Sequence, residues 1–165
     1  LAWVERAKKK VLKLRASLEV SQTEPRLTIA YSVTNTPLDN LAWNFREGKF
    51  DNQEDFLNAV VKYNEEVQSI DGEKVKEILG RKIESLGSET RFVLFDEDSE
   101  EAERQEIREV HLTSDDGISF SAGEILFKLN RTLYPMLADS DAIFFEGFSI
   151  ITDEGSIHCR LHLGS

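Results

Sequence analysis

The densest gathering of reactive side chains lies near the C-terminus, in Ser156-Ile157-His158-Cys159-Arg160-Leu161-His162-Leu163. Two of the three histidines and the single cysteine fall within this stretch. Such a set suits a transition-metal site, or a thiol nucleophile with an imidazole base. The spacing argues against both. Ile157, Cys159, Leu161 and Leu163 alternate with His158, Arg160 and His162, the period of a strand with one buried face. Cys159 then turns inward as a small hydrophobe and the histidines turn outward to solvent. At about 3.3 Å per residue the two imidazoles stand roughly 13 Å apart, whereas a zinc–nitrogen bond is about 2.1 Å. Arg160 between them repels a cation. His111 is distant in sequence, and only folding can bring it near either.

The second conspicuous feature is the acidic run Asp96, Glu97, Asp98, Glu100, Glu101 and Glu103. Its acids begin in the pattern of a calcium-binding loop. The glycine that such a loop needs at its sharp turn is replaced by Glu101, and the final bidentate glutamate by Ile107. The run is read as a solvated loop between strands, as a docking surface for a basic protein, which the chain's own basic residues 5–15 could supply in cis, or as a looser magnesium or calcium site; the docking surface is the reading carried into the expected function. Asp115-Asp116-Gly117, Asp139-Ser140-Asp141 and Asp153-Glu154-Gly155 are turns, where aspartate and glycine serve the backbone. Paired carboxylates can do acid–base or metal-assisted hydrolysis, but no spacing here singles out a pair. The chain has no phosphate-binding glycine loop, Gly-x-Ser-x-Gly elbow, His-Glu-x-x-His or Cys-x-x-Cys.

Composition sets the frame for these residues. A chain of 165 residues fits a single domain spanning 1–165. Such a chain buries about 70% of its unfolded surface, enough for a core without covalent staples. One cysteine cannot form an intramolecular disulfide, which fits a reducing compartment or simple indifference to redox; the cytoplasm is the expected setting. No stretch approaches the ~20 apolar residues of a membrane helix, and the N-terminus lacks the apolar core of a secretory signal. The net charge of −11 repels nucleic-acid phosphates and favours basic protein partners. That charge is uneven: residues 1–20 carry six Lys/Arg against Glu5 and Glu19, while 96–109 carry eight acids against Arg104 and Arg108.

The elements that position these side chains follow from periodicity. Val4, Ala7, Val11, Leu14 and Leu18 make an apolar stripe on a basic helix over 2–19, which docks in cis, on a partner, or against a second copy through residues 3–18. Residues 27–34 alternate as a strand, and a short helix is expected over 38–45. Asp51 or Asn52 caps a helix bearing Phe56, Val60, Tyr63 and Val67. Asp71 starts another with Val75, Ile78, Leu79, Ile83 and Leu86; Gly80 is its weak point and Gly87 its stop. Residues 91–95 are apolar on both faces, as in a central strand. Residues 107–113 and 118–120 read as a hairpin about Asp116-Gly117. Ser121 and Glu124 form a capping box, and Phe120 and Ile125 a hydrophobic staple, at the head of a helix running to Tyr134-Pro135. Residues 142–152 and 156–163 make a second hairpin, with Phe144, Phe148 and Ile150 on one face and Ile143, Phe145 and Ile151 on the other. The aromatics of Trp43-Asn44-Phe45-Arg46 and Phe144-Phe145-Glu146-Gly147-Phe148 are expected mainly in the core.

The expected architecture is α+β: an antiparallel sheet of about five or six strands, mostly from the C-terminal half, covered by helices from the N-terminal half. The expected function is that of a non-catalytic acidic interaction domain, without cofactor, metal or catalytic residue, that binds a basic protein partner. An inhibitor or immunity protein that blocks a basic nuclease is one concrete version. Nucleic acid and membrane are not expected partners. The alternative is a metal-dependent hydrolase whose carboxylates and a histidine converge only on folding.

Overall fold

The computed structural model describes residues 32–94 and 108–165. The basic helix expected over 2–19, the first part of the strand over 27–34, and the acidic run Asp96, Glu97, Asp98, Glu100, Glu101 and Glu103 lie outside the described residues.

The described chain is α+β. Strand β1 (Ser32–Asn35) leads into a 3-10 turn (Pro37–Asn40) and the short β2 (Trp43–Asn44). Helices α1 (Gln53–Gln68) and α2 (Gly72–Gly80) follow, then β3 (Lys82–Ile83), β4 (Glu89–Leu94) and β5 (Arg108–Thr113). The chain closes with β6 (Phe120–Ser121), α3 (Ala122–Met136), β7 (Phe144–Asp153) and β8 (Ser156–Gly164). The main sheet is curled, with strand order β1-β7-β8-β4-β5 and β2 also on β7; β3 and β6 form a small second sheet.

Local signals fixed the helix starts. Asn52 caps α1 by accepting the Asp55 N–H at 2.9 Å, and Asp71 caps α2 by accepting the Glu73 N–H at 3.0 Å. Ser121 Oγ accepts the Glu124 N–H at 3.2 Å. The box does not close reciprocally, because the Glu124 carboxylate accepts the Asp115 N–H instead, at 2.6 Å. The hairpin of β7 and β8 turns through Glu154 and Gly155, whose φ values of 47° and 80° place both in the left-handed region that a two-residue turn needs.

Several expectations need correction. The sheet is mixed, because β4 runs parallel to β8, with Phe92 opposite Cys159 and Val93 opposite Arg160. Residues 38–45 form a 3-10 turn and a strand, with Pro37 opening the turn. Helix α2 ends at Gly80, so Ile83 and Leu86 are buried from β3 and from a 3-10 turn (Glu84–Leu86). The segment after β5 does not fold back on it. β5 pairs with β4, and β6 pairs with β3. Val67 lies on the last turn of α1 and is 59% exposed, beyond the reach of the core.

The most deeply embedded helix also comes from the C-terminal half. Residues Ala122 through Phe127, together with Leu129, Asn130 and Leu133, are buried in α3, so it is enclosed on most sides. It lies against the sheet, with α1 and α2 packed on it. Gly123 permits that closeness: a Cβ there would sit 2.8 Å from Leu57 Cδ2 and 3.1 Å from the Leu79 carbonyl.

The C-terminal hairpin departs from strict alternation. Phe145 opposes Leu163 but Phe148 opposes Leu161, so one extra residue bulges from β7. Phe145, Phe148 and Ile150 consequently share the core face, and Phe144 is 39% exposed. The bulge depends on Gly147 at φ +98°, where a Cβ would fall 2.5 Å from Asp39 Oδ1 and 3.3 Å from Asp39 Cα. Gly147→Ala is expected to destabilise the fold by about 1–3 kcal/mol through backbone strain and that clash, read as a lower urea midpoint at unchanged slope.

Candidate functional site

Strand register decides which reactive side chains meet. On the core face of the sheet, Phe92 packs edge-on against Phe148 at 5.0 Å, and Thr90 Oγ1 lies 3.6 Å from Cys159 Sγ. Cys159 is fully buried, and burial pushes its thiol up to about 11, with the Thr90 contact pulling weakly the other way. A thiol so protonated and enclosed is a poor nucleophile. Leu161 is buried beside it, whereas Ile157 is 42% exposed.

The opposite face collects what the sequence scattered. Arg91 on β4 is paired with His111 on β5, and one register step before Phe92–Cys159 it lies beside His158 on β8. His111, Arg91 and His158 thus form a row across three neighbouring strands. Arg160 is next along β8, and His162 beyond it is joined to Ser149 of β7 through Nε2 and Oγ at 2.8 Å. All three histidines of the chain stand on this face. Glu109 links the row at one end, 3.2 Å from Arg91 Nη1 and 3.4 Å from His111 Nε2. Burial, then the charges of Arg91 and Arg160, hold the His158 imidazole below its usual pKa, against the opposing pull of Asp153 and Glu109.

This face corrects two expectations. The β8 histidines are partly buried rather than simply solvent-facing, and Val93 and Ile151 are buried on the same side. His111 does approach the others, but two strand spacings of about 4.8 Å separate it from His158, too far for one ion. Among the described residues no group of three or more His, Cys, Asp or Glu side chains is placed to hold a metal.

The turn acids have structural engagements. Asp116 Oδ1 accepts the N–H groups of Ile118 and Ser119 at 2.7 and 2.9 Å, and Lys82 Nζ lies 3.4 Å from Oδ2. The two backbone donors, with Lys82 assisting, lower its pKa to about 2. Lys128 of α3 donates to the Thr113 carbonyl and meets Asp115 at 2.8 Å and Glu124 at 3.0 Å. Burial disfavours its ammonium, but the bonds to Asp115 and Glu124 outweigh that and raise its pKa. Residues 113–128 are therefore a polar clasp fixing the entry to α3. The periodicity that revealed the helix carried no sign of it.

An open cleft of about 520 Å³ lies between α1 and α2 at the start of α3. Leu57, Val61 and Leu79 supply its apolar lining, with Glu54, Lys76 and Ser121 among its polar walls. Among the described residues no helix is long and apolar enough to cross a membrane. No protein-family model, curated protein or solved structure matches the chain.

Two measurements check these readings. Cys159 is expected to resist a thiol-specific chromogenic reagent in the native protein and to react promptly once the chain is unfolded in urea. Lys128→Met leaves the Glu124 carboxylate, 8% exposed, without its cation; it is expected to cost about 2–3 kcal/mol in chemical denaturation. Much of that loss should return in the double variant Lys128→Met/Glu124→Gln.

Proposed function

We propose that the chain is a non-catalytic acidic interaction domain that binds a basic protein partner. Asp96, Glu97, Asp98, Glu100, Glu101 and Glu103 steer the encounter. The observation that carries this reading is the distribution of a net charge of −11, with eight acids against two arginines over 96–109. In the sequence, that segment lies between β4 and β5. A negative segment attracts a cationic surface at long range and accelerates association. Affinity then comes from apolar contacts, for which the cleft lined by Leu57, Val61 and Leu79 is one source. An inhibitor of a basic enzyme, acting by charge complementarity, is the most specific form of this proposal, and its setting is the cytoplasm. The chain's own basic segment 5–15 is a competing partner in cis.

Replacing the six acids with Ser or Asn is expected to reduce capture of a basic partner, as is raising salt to roughly 0.5 M, where screening acts within a few ångströms. Capture insensitive to both changes would sink charge steering.

A further inference from the structure

An acidic protein has assembled a basic row on one sheet face, and no part of the proposed binding to a basic surface calls for it. His111, Arg91 and His158 stand side by side on β5, β4 and β8, at strand spacings of about 4.8 Å. Arg160 lies one step further along β8. The row is open to solvent at one end: the Arg91 side chain is 40% exposed and that of His111 is 73% exposed. A guanidinium carries five N–H donors in a planar fork, and among the described residues one nitrogen of Arg91, Nη1, is engaged by Glu109. His158 Nδ1 is buried and meets no hydrogen-bond partner among the described residues.

Carboxylates also face this row. Glu109 touches Arg91 and His111, and Asp153 lies near enough to His158 to favour its charged form. The stronger charge influence on His158 is cationic, from Arg91 and then Arg160. A tetrahedral oxyanion suits the arrangement, because a guanidinium meets it with two parallel N–H bonds while an imidazole N–H supplies a third from the side.

We propose that the row His111–Arg91–His158 is an oxyanion-binding site that takes a phosphate group, with Arg91 as its principal donor. The site is independent of the acidic docking segment, and either can exist without the other. Glu109 competes with the ligand for Arg91 and so tunes the affinity.

The test is a titration with inorganic phosphate at constant ionic strength, with chloride as the balancing ion, following the three histidine ring signals by NMR. The expected result is a saturable shift at His158 and His111. Arg91→Gln should weaken apparent binding about tenfold or more by removing the charge-assisted pair. Glu109→Gln should strengthen it. Arg91→Lys, which keeps the charge and loses the fork, should fall between the wild-type chain and Arg91→Gln, and serves as the folded control should Arg91→Gln fail to fold. Acetate in a parallel series distinguishes a general carboxylate site from one for phosphate, and equal binding of acetate would overturn the phosphate assignment. Shifts that do not saturate, that chloride reproduces, or that survive Arg91→Gln unchanged would overturn the site itself.

Discussion

The fold turns on a short parallel contact. β4 belongs to one antiparallel hairpin with β5, and β8 to another with β7. Among the described residues two register pairs, Phe92–Cys159 and Val93–Arg160, join them into a single sheet. A ladder this short gains little from its backbone bonds, and parallel pairing is the weaker kind per residue. Side chains on the core face reinforce it: the Phe92 and Phe148 rings stack edge-on, and Thr90 reaches Cys159 across the join. The same register decides the other face. A slip of one residue between β4 and β8 would send Cys159 to the outside and His158 into the core.

The helical side is held by a different kind of interaction, polar and fully satisfied. Asn64 of α1 accepts from the Ala42 N–H and from Gln68, and donates to the carbonyls of Ala42 and Val60. Trp43 donates its indole N–H to Asn130 of α3 at 2.9 Å, and Asn130 donates in turn to the Gly48 carbonyl. Buried amides are tolerable only when all their partners are present, and here they clamp an irregular segment between two helices. Trp43 packs edge-on against Phe56 at 5.2 Å and Tyr63 at 5.4 Å, so aromatic packing and the hydrogen bonds define one position. Arg46 completes the clamp by donating to the carbonyls of Leu137, Ala138 and Ser140, just past the end of α3.

What could be read from the sequence follows from the range of each signal. Asn52, Asp71 and Ser121 announce their helices because a cap acts within three residues. Asp153-Glu154-Gly155 announces its hairpin because two left-handed residues suffice to reverse a strand. Cys159 and Leu161 declared their buried face through alternation alone. The parallel pairing of β4 with β8, the pairing of β6 with β3 and the central place of α3 were not legible, since each is a choice among distant partners and leaves no local period. The bulge at Gly147 was hidden for the converse reason: the alternation of Phe144 through Ile151 looks regular until one residue is lost from the count. His111 joined the other histidines through the same long-range choices, so the basic row was invisible even though each member was in plain view. The acids at 96–103 were the easiest feature to notice, and they lie outside the described residues.

The bulge in β7 also bears on how the molecule keeps to itself. Either side of it, the strand's free edge is taken up by two separate pieces of chain: β1 along Ser149 to Thr152 and β2 along Phe144 and Phe145. Among the described residues these covering strands contribute four and two residues. The two-residue β2 offers a foreign strand no long, flat template, and the far edge of the described sheet, β5, presents Arg108, Glu109 and His111 instead of a run of apolar side chains. A kinked, divided rim of this kind discourages edge-to-edge stacking between copies and the fibrous aggregates that such stacking seeds.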